Sequence, residues 1–162
     1  MRTTDNNVSA LFWWGGYTVL GVWAHKLVPG VDVFAPGIVL SLQEQPGHRT
    51  LGLAAFWILL LEGVGNMPFG FGVAWYVLLF VMFVVGRWLF EGRSFLFMCL
   101  LGAGLGALRP ALLYSLSSLA NLEVDLSAAA VEGLIQAAVF PGVWVLADRF
   151  YPKKLRHDVA PL

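Results

Sequence analysis

Charged residues are scarce in this chain, and their scarcity indicates its class. They make up 12% of the 162 residues, while apolar residues make up 59%. An ordinary soluble domain has about a quarter charged residues. The mean hydropathy of +0.75 points the same way. The composition therefore excludes an ordinary soluble domain and predicts one integral membrane domain spanning residues 1–162.

Other residue types and motifs are missing as well. A net charge of zero, with no basic face interleaved with aromatics, argues against binding to nucleic acid. A single cysteine, Cys99, excludes an internal disulfide and is expected to pack in a hydrophobic segment. The histidines, His25, His48 and His157, lack metal-ligand spacing. Neither a phosphate-binding glycine loop nor a nucleophile elbow occurs. We predict a non-enzymatic protein without a cofactor.

Basic residues are absent from alternate connections between the hydrophobic segments. Residues 62–70 and 117–127 contain none. Eight of the ten lysines and arginines lie instead at the two termini and in the other connections: Arg2, Arg49, Arg87, Arg93, Arg149, Lys153, Lys154 and Arg156. Positive charge near the ends of membrane spans is retained on the cytoplasmic side. The pattern predicts cytoplasmic termini and an even number of spans, with Lys26 and Arg109 as the two exceptions.

Six hydrophobic segments fit that orientation. They cover residues 8–25, 33–42, 50–62, 71–90, 94–116 and 128–146, and a basic cytoplasmic tail follows over 149–162. A hydrocarbon core of about 30 Å needs about 20 helical residues. The second and third segments are shorter, so they are expected to be thin, re-entrant or shielded by protein. The predicted fold is an all-α polytopic membrane bundle with six spans, two of them short.

Three charged residues are placed within the predicted spans or at their outer ends: Glu62, Arg109 and Glu132. A charge at the centre of a bilayer costs at least about 2.5 to 3.5 kcal/mol, so such residues need partners. All three fall in the outer half of the membrane. Since a guanidinium offers a fork of donors to carboxylates, we expect Arg109 to pair with Glu132, with Glu62 as a third candidate member. A helix-packing ion pair is favoured over a ligand or proton site.

The run LLGAGLGALRP places Gly102 and Gly106 four residues apart. Small residues at this spacing allow the backbones of membrane helices to approach closely. The spacing predicts a helix contact on this face of the fifth span and does not indicate which helix supplies the other side.

Two segments carry a resemblance to a known family. VPGVDVFAPGIVLSL and LGLAAFWILLLEGVGNMPFG resemble the rod shape-determining protein MreD, in which a proline-led short segment precedes a hydrophobic run that ends in an acidic residue. Pro36, Glu62 and the pair Phe69 and Gly70 would fill those positions, although the family more often has aspartate in place of Glu62. The end, GLIQAAVFPGVWVLADRFYPKK, is similar to the family's last span and basic tail.

The resemblance implies a small protein of the bacterial inner membrane that supports lateral peptidoglycan synthesis. Its expected partners are the lipid bilayer, MreC, the MreB filament and the rest of the elongation machinery, and no catalytic residue is implied. The related fold is similar to the substrate-binding components of energy-coupling-factor vitamin transporters. In that alternative, the outer polar groups line a vitamin pocket and the small-residue face docks the coupling subunit. A third alternative is a bacterial membrane protein of neither group.

Reporter fusions at Gly47 and Gly65 test the number of spans. If the second and third segments both cross the membrane, the two fusions will report opposite sides, with Gly47 cytoplasmic. Paired alkaline phosphatase and fluorescent-protein fusions provide the measurement. The same side for both fusions would mean that residues 33–62 form a re-entrant loop.

Overall fold

The chain folds into six α-helices. The structure, a computed structural model, describes residues 2–28, 30–44, 47–64, 70–119, 121, 123, 125–152 and 155. In chain order the helices are α1 (Arg2–Leu27), α2 (Phe34–Glu44), α3 (His48–Val64), α4 (Phe71–Leu89), α5 (Phe95–Leu119) and α6 (Leu126–Phe150). These residues include no β-strand, and the all-α prediction is confirmed.

Three of the helices are long and apolar enough to cross a membrane: Phe71–Leu89, Phe95–Leu119 and Leu126–Phe150. They indicate an integral membrane protein. With 11 and 17 residues, α2 and α3 are short, as the hydrophobic segments predict. Over the described residues, α1, α2 and α3 do not combine the length and the hydropathy of a membrane-spanning helix. The six-span arrangement therefore stays a prediction.

Contacts between the helix ends show how the helices are oriented. Near the start of α1, Trp13 packs against Tyr151, just after α6, with ring centroids 5.9 Å apart. Between α2 and α6, Asp32 contacts Gln136 and Gln43 contacts Trp144, so these two helices run parallel. The bundle therefore has two distinct ends. We call them the Arg93 end, where α2 and α6 finish, and the Asp32 end, where α2 begins.

The short helix α2 is enclosed by its neighbours. Ten of its 11 residues are buried, although the helix is only about 16 Å long. Phe34 packs on Trp57 of α3 with ring centroids 4.9 Å apart. The Tyr17 hydroxyl of α1 donates a hydrogen bond of 2.7 Å to the carbonyl of Val33. The second hydrophobic segment is therefore shielded by protein.

A polar network fixes the last turn of α2 at the Arg93 end. Nη2 of Arg93 lies 2.5 Å from Oε1 of Glu44 and 2.9 Å from Oδ1 of Asp148. The Gln43 amide donates to the carbonyl of Gly92 at 2.6 Å, and its oxygen accepts from the Trp144 indole at 3.0 Å. Because Glu44 is only 1% exposed, it needs this cationic partner. The network joins α2, the turn between α4 and α5, and α6.

At the start of α6, the side chain of Asp125 caps the helix. Its carboxylate accepts hydrogen bonds from the backbone N–H groups of Ser127 and Ala128 at 2.9 and 3.2 Å, and from the Ser127 hydroxyl at 2.6 Å. These bonds stabilise the ionised form, with that from the Ser127 hydroxyl contributing most, and they lower the pKa of Asp125. The cap satisfies donors that a helix start leaves free.

Close backbone contact joins α5 to α6. A Cβ atom on either Gly106 or Gly133 would collide with the carbonyl oxygen of the other glycine, and one on Gly102 would press on Phe140 and the carbonyl of Ala137. Only glycine permits this approach, which is how membrane helices gain packing contacts without a hydrophobic driving force. The face carrying Gly102 and Gly106 therefore packs against α6.

Replacing Gly106 by alanine tests this packing. We expect Gly106→Ala to destabilise the protein by about 1 to 3 kcal/mol, because the backbone of α6 cannot yield to the added methyl group. Gly142→Ala is the matched control, since a Cβ at Gly142 meets nothing within 4 Å and alanine favours a helix by about 1 kcal/mol. Thermal unfolding in detergent provides the measurement. Equal melting temperatures for the two variants would contradict the close contact.

Candidate functional site

Asp32 lies at the start of α2 and accepts hydrogen bonds from two helices. Its Oδ1 accepts from the backbone N–H groups of Phe34 and Ala35 at 2.8 and 3.2 Å, which is the pattern of a helix cap. Its Oδ2 accepts from the indole of Trp75 on α4 at 2.8 Å. The side chain is buried, so these bonds replace the water that it loses on folding.

The backbone of Asp32 is held by Gln136 of α6. The Asp32 N–H donates to the Gln136 side-chain oxygen at 2.7 Å, and the Gln136 amide donates to the Asp32 carbonyl at 2.9 Å. Pro36 explains the free carbonyl, because a helical residue at position 36 would normally donate to the carbonyl four residues earlier and proline has no N–H. Gln136, with 0% exposure, supplies the missing donor.

Arg109 of α5 pairs with Glu132 of α6. Its Nε and Nη2 atoms donate to Oε2 of Glu132 at 3.3 and 3.0 Å. The guanidinium also lies 5.7 Å from the ring centroids of both Phe71 and Trp75, a distance at which an aromatic face attracts a cation. With 1% exposure, Arg109 is held by one carboxylate and two aromatic rings.

The connection between α1 and α2 approaches Glu132 closely at Gly30. This glycine has φ +84°, and a Cβ there would overlap the Glu132 carboxyl group. Both the left-handed conformation and the lack of space require glycine. The chain that leads to Asp32 thereby covers one side of the ion pair between Arg109 and Glu132.

Glu62, the third candidate member of the cluster, makes its described hydrogen bonds to the start of α4. Its Oε1 accepts from the backbone N–H groups of Gly70 and Gly72 at 3.1 and 3.2 Å. The carboxylate therefore satisfies donors at the start of α4, where the helix dipole also favours negative charge. Glu62 was selected as a candidate because it is a charged residue at the end of a short hydrophobic segment. The sequence alone did not predict that it would cap α4.

A small cavity separates Glu62 from the other charged groups. Glu62, Asp32, Arg109 and His25 contribute to its wall, and its volume is about 20 Å³. This volume, swept by the centre of a water-sized sphere, is enough for about one water molecule. The structure thus brings Arg109 and Glu132 into direct contact and leaves Glu62 across a water-sized space.

The cluster lies deep within the bundle. Arg109 is ten residues before Leu119, the last residue of α5, which corresponds to about 15 Å along the helix. Its described partners join α2, α4, α5 and α6 through charge pairs, caps and ring contacts. In the described residues, no group of three or more histidines, cysteines or acidic residues could hold a metal ion. The arrangement binds these four helices to one another.

Asp32 and Gln136 are the central residues that sequence reasoning missed. In the sequence, Asp32 lies just before the second hydrophobic segment, and no pattern assigns a partner to Gln136. A capping signal was available, because an acidic residue two positions before a hydrophobic helix start is a typical cap. The partnership with Gln136 leaves no local signal, since the two residues are 104 positions apart.

No protein-family model, curated protein or solved structure matches this chain.

Removing the Arg109 charge tests the cluster. We expect Arg109→Leu to destabilise the protein by about 3 kcal/mol, because Glu132 loses its partner in a region of low dielectric. The double variant Arg109→Leu with Glu132→Leu should recover part of this loss. Thermal unfolding in detergent provides the measurement, and Arg149→Leu, on an exposed arginine of α6, is the control. An Arg109→Leu variant as stable as the control would show that the ion pair has no structural importance.

Proposed function

We propose that this protein is a non-enzymatic scaffold of the bacterial inner membrane, similar to MreD, that supports lateral peptidoglycan synthesis. In this proposal six helices lie in the membrane, and the Arg93 end and both termini face the cytoplasm. The protein contributes surfaces for other membrane proteins of the elongation machinery, among them an MreC-like partner. The resemblance in residues 29–70 and at the end of the chain supports this assignment.

The observation that carries the proposal is that the described contacts of the polar cluster join helices to one another around a small cavity. Asp32 accepts from Trp75 of α4 and from Gln136 of α6, Arg109 donates to Glu132 of α6, and the cavity beside them is about 20 Å³. Pockets for small molecules measure about 300 to 1,000 Å³. A cluster that is closed around its own partners suits a protein whose buried charges hold a scaffold together.

The orientation is supported by where the basic residues lie. Arg93 is in the turn between α4 and α5, Arg149 is in the last turn of α6, and Arg49 is in the first turn of α3. The helix contacts described above bring these three segments to one end of the bundle. Since positive charge is retained on the cytoplasmic side, this end is assigned to the cytoplasm.

The alternative of a vitamin-binding transporter component has one observation in its favour. Asp32, Glu62 and Arg109 line a cavity in the half of the bundle that is assigned to the outside. However, the small-residue face that was expected to dock a coupling subunit packs against α6 at Gly133. A coupling subunit would therefore need another face, and we retain the transporter component as the second candidate.

Depletion of the protein in its rod-shaped host distinguishes the two functions. If it is a scaffold of cell elongation, depleted cells will become round, and expression of the wild type or Arg149→Leu will restore the rod shape. Arg109→Leu is expected to restore shape poorly because the bundle is destabilised. Cell width and length by microscopy, with protein amounts by immunoblot, provide the measurement. Normal shape combined with a vitamin requirement would support the transporter component instead.

A further inference from the structure

An apolar groove opens on the side of the bundle between α3 and α4. Its floor is formed by α2, where Ile38 and Leu42 are 3% and 9% exposed. Ala54 contributes to the wall on α3, and Val77 and Phe80 contribute to the wall on α4. The volume of about 580 Å³ falls within the range of about 300 to 1,000 Å³ for binding sites of small molecules.

The groove favours an apolar occupant. Its two side-chain hydroxyl groups are already engaged, since the Thr50 hydroxyl lies 2.8 Å from that of Ser41 and the Tyr76 hydroxyl lies 3.4 Å from Asp32. The outward residues Leu51 and Val77 are 72% and 58% exposed. In a membrane, such a surface faces hydrocarbon, and a recess in it gains van der Waals contacts when a chain fills it.

The shape of the groove distinguishes an acyl chain from a helix. Toward the Asp32 end, α3 and α4 meet, because a Cβ on Gly72 would lie 3.4 Å from Ile58. Toward the Arg93 end, the groove extends to Gly47, just before α3. A lipid tail can enter the groove from the Arg93 end and stop at this contact between α3 and α4. A spanning partner helix, about 10 Å wide, would have to continue past the closed end.

An exposed arginine lies beyond the groove toward the Arg93 end. Arg87 lies seven residues after Phe80, two turns along the same face of α4, and is exposed. Its guanidinium lies 5.6 Å from the ring centroid of Phe83. Basic residues near a membrane surface attract anionic lipid by about 1 kcal/mol each.

We propose that the groove between α3 and α4 binds one acyl chain of an anionic phospholipid from the leaflet at the Arg93 end. The tail fills the space over Ile38 and Leu42, and the head group lies near Arg87 and the start of α3. This lipid site does not depend on the scaffold function, because it follows from the groove and the arginine beyond it.

Filling the groove tests the proposal. Ala54→Phe places a ring in the space for the tail, and Ala138→Phe makes the same change at an exposed position on α6. Each protein is reconstituted in nanodiscs that contain equal amounts of phosphatidylglycerol and phosphatidylcholine, and is then released for native mass spectrometry. We expect the wild type and Ala138→Phe to retain one phosphatidylglycerol. Retention by Ala54→Phe should fall about tenfold, a loss of about 1.4 kcal/mol.

The head-group contribution is tested separately with Arg87→Gln and, as its control, Arg149→Gln. Arg87→Gln should lose most of the preference for phosphatidylglycerol over phosphatidylcholine, while the control keeps it.

If Ala54→Phe does not fold, Val77→Trp covers the groove from its exposed edge and provides the same comparison. Equal lipid retention by the wild type and the groove variants would overturn the proposal. So would equal retention of the two lipids by the wild type, or a stoichiometric protein photo-crosslinked from position 77.

Discussion

A short helix enclosed within a membrane bundle must find hydrogen-bond partners for both of its ends inside the protein. The first N–H groups and the last carbonyl groups of any helix lack partners within it, and hydrocarbon supplies none. In α2, Asp32 meets this requirement for the first N–H groups, and side-chain contacts of Gln43 and Glu44 fix the last turn. Asp32 caps the first turn and is held by Trp75 and Gln136, while Glu44 is paired with Arg93. The positions of α4, α6 and the turn between α4 and α5 follow from these contacts.

The charged cluster connects the cap of α2 to the helices around it. Arg109 lies over Trp75, the same ring whose indole binds Asp32, so the ion pair with Glu132 and the cap of α2 share a side chain. A change at any of these residues reaches α2, α4, α5 and α6 together. Intramembrane charge often marks a site of transport or catalysis. In this bundle its partners are all internal, and the larger recess, between α3 and α4, is apolar. Buried charge and surface recess therefore serve separate purposes.

Sequence patterns predicted the features that depend on local composition. Hydropathy located the six helices, and the spacing of Gly102 and Gly106 indicated a close helix contact. The similar depth of Arg109 and Glu132 in the predicted membrane suggested that their side chains could form an ion pair. Hydropathy does not specify the direction in which a side chain points around its helix. For this reason Glu62 was associated with Arg109 although it binds the start of α4. Arg93 was interpreted only as an orientation signal, because nothing near it in sequence indicates Glu44 or Asp148.

The enclosure of α2 also constrains how the protein is assembled during translation. Trp75 is synthesised 43 residues after Asp32, Arg93 follows Glu44 by 49 residues, and Gln136 follows Asp32 by 104. While these partners are still missing, α2 carries two acidic side chains and unsatisfied helix ends that hydrocarbon disfavours. It cannot settle at its final depth when it leaves the ribosome. The contacts of Gln136 with Asp32 form only after α6 has been synthesised, so α6 completes the set of partners around α2.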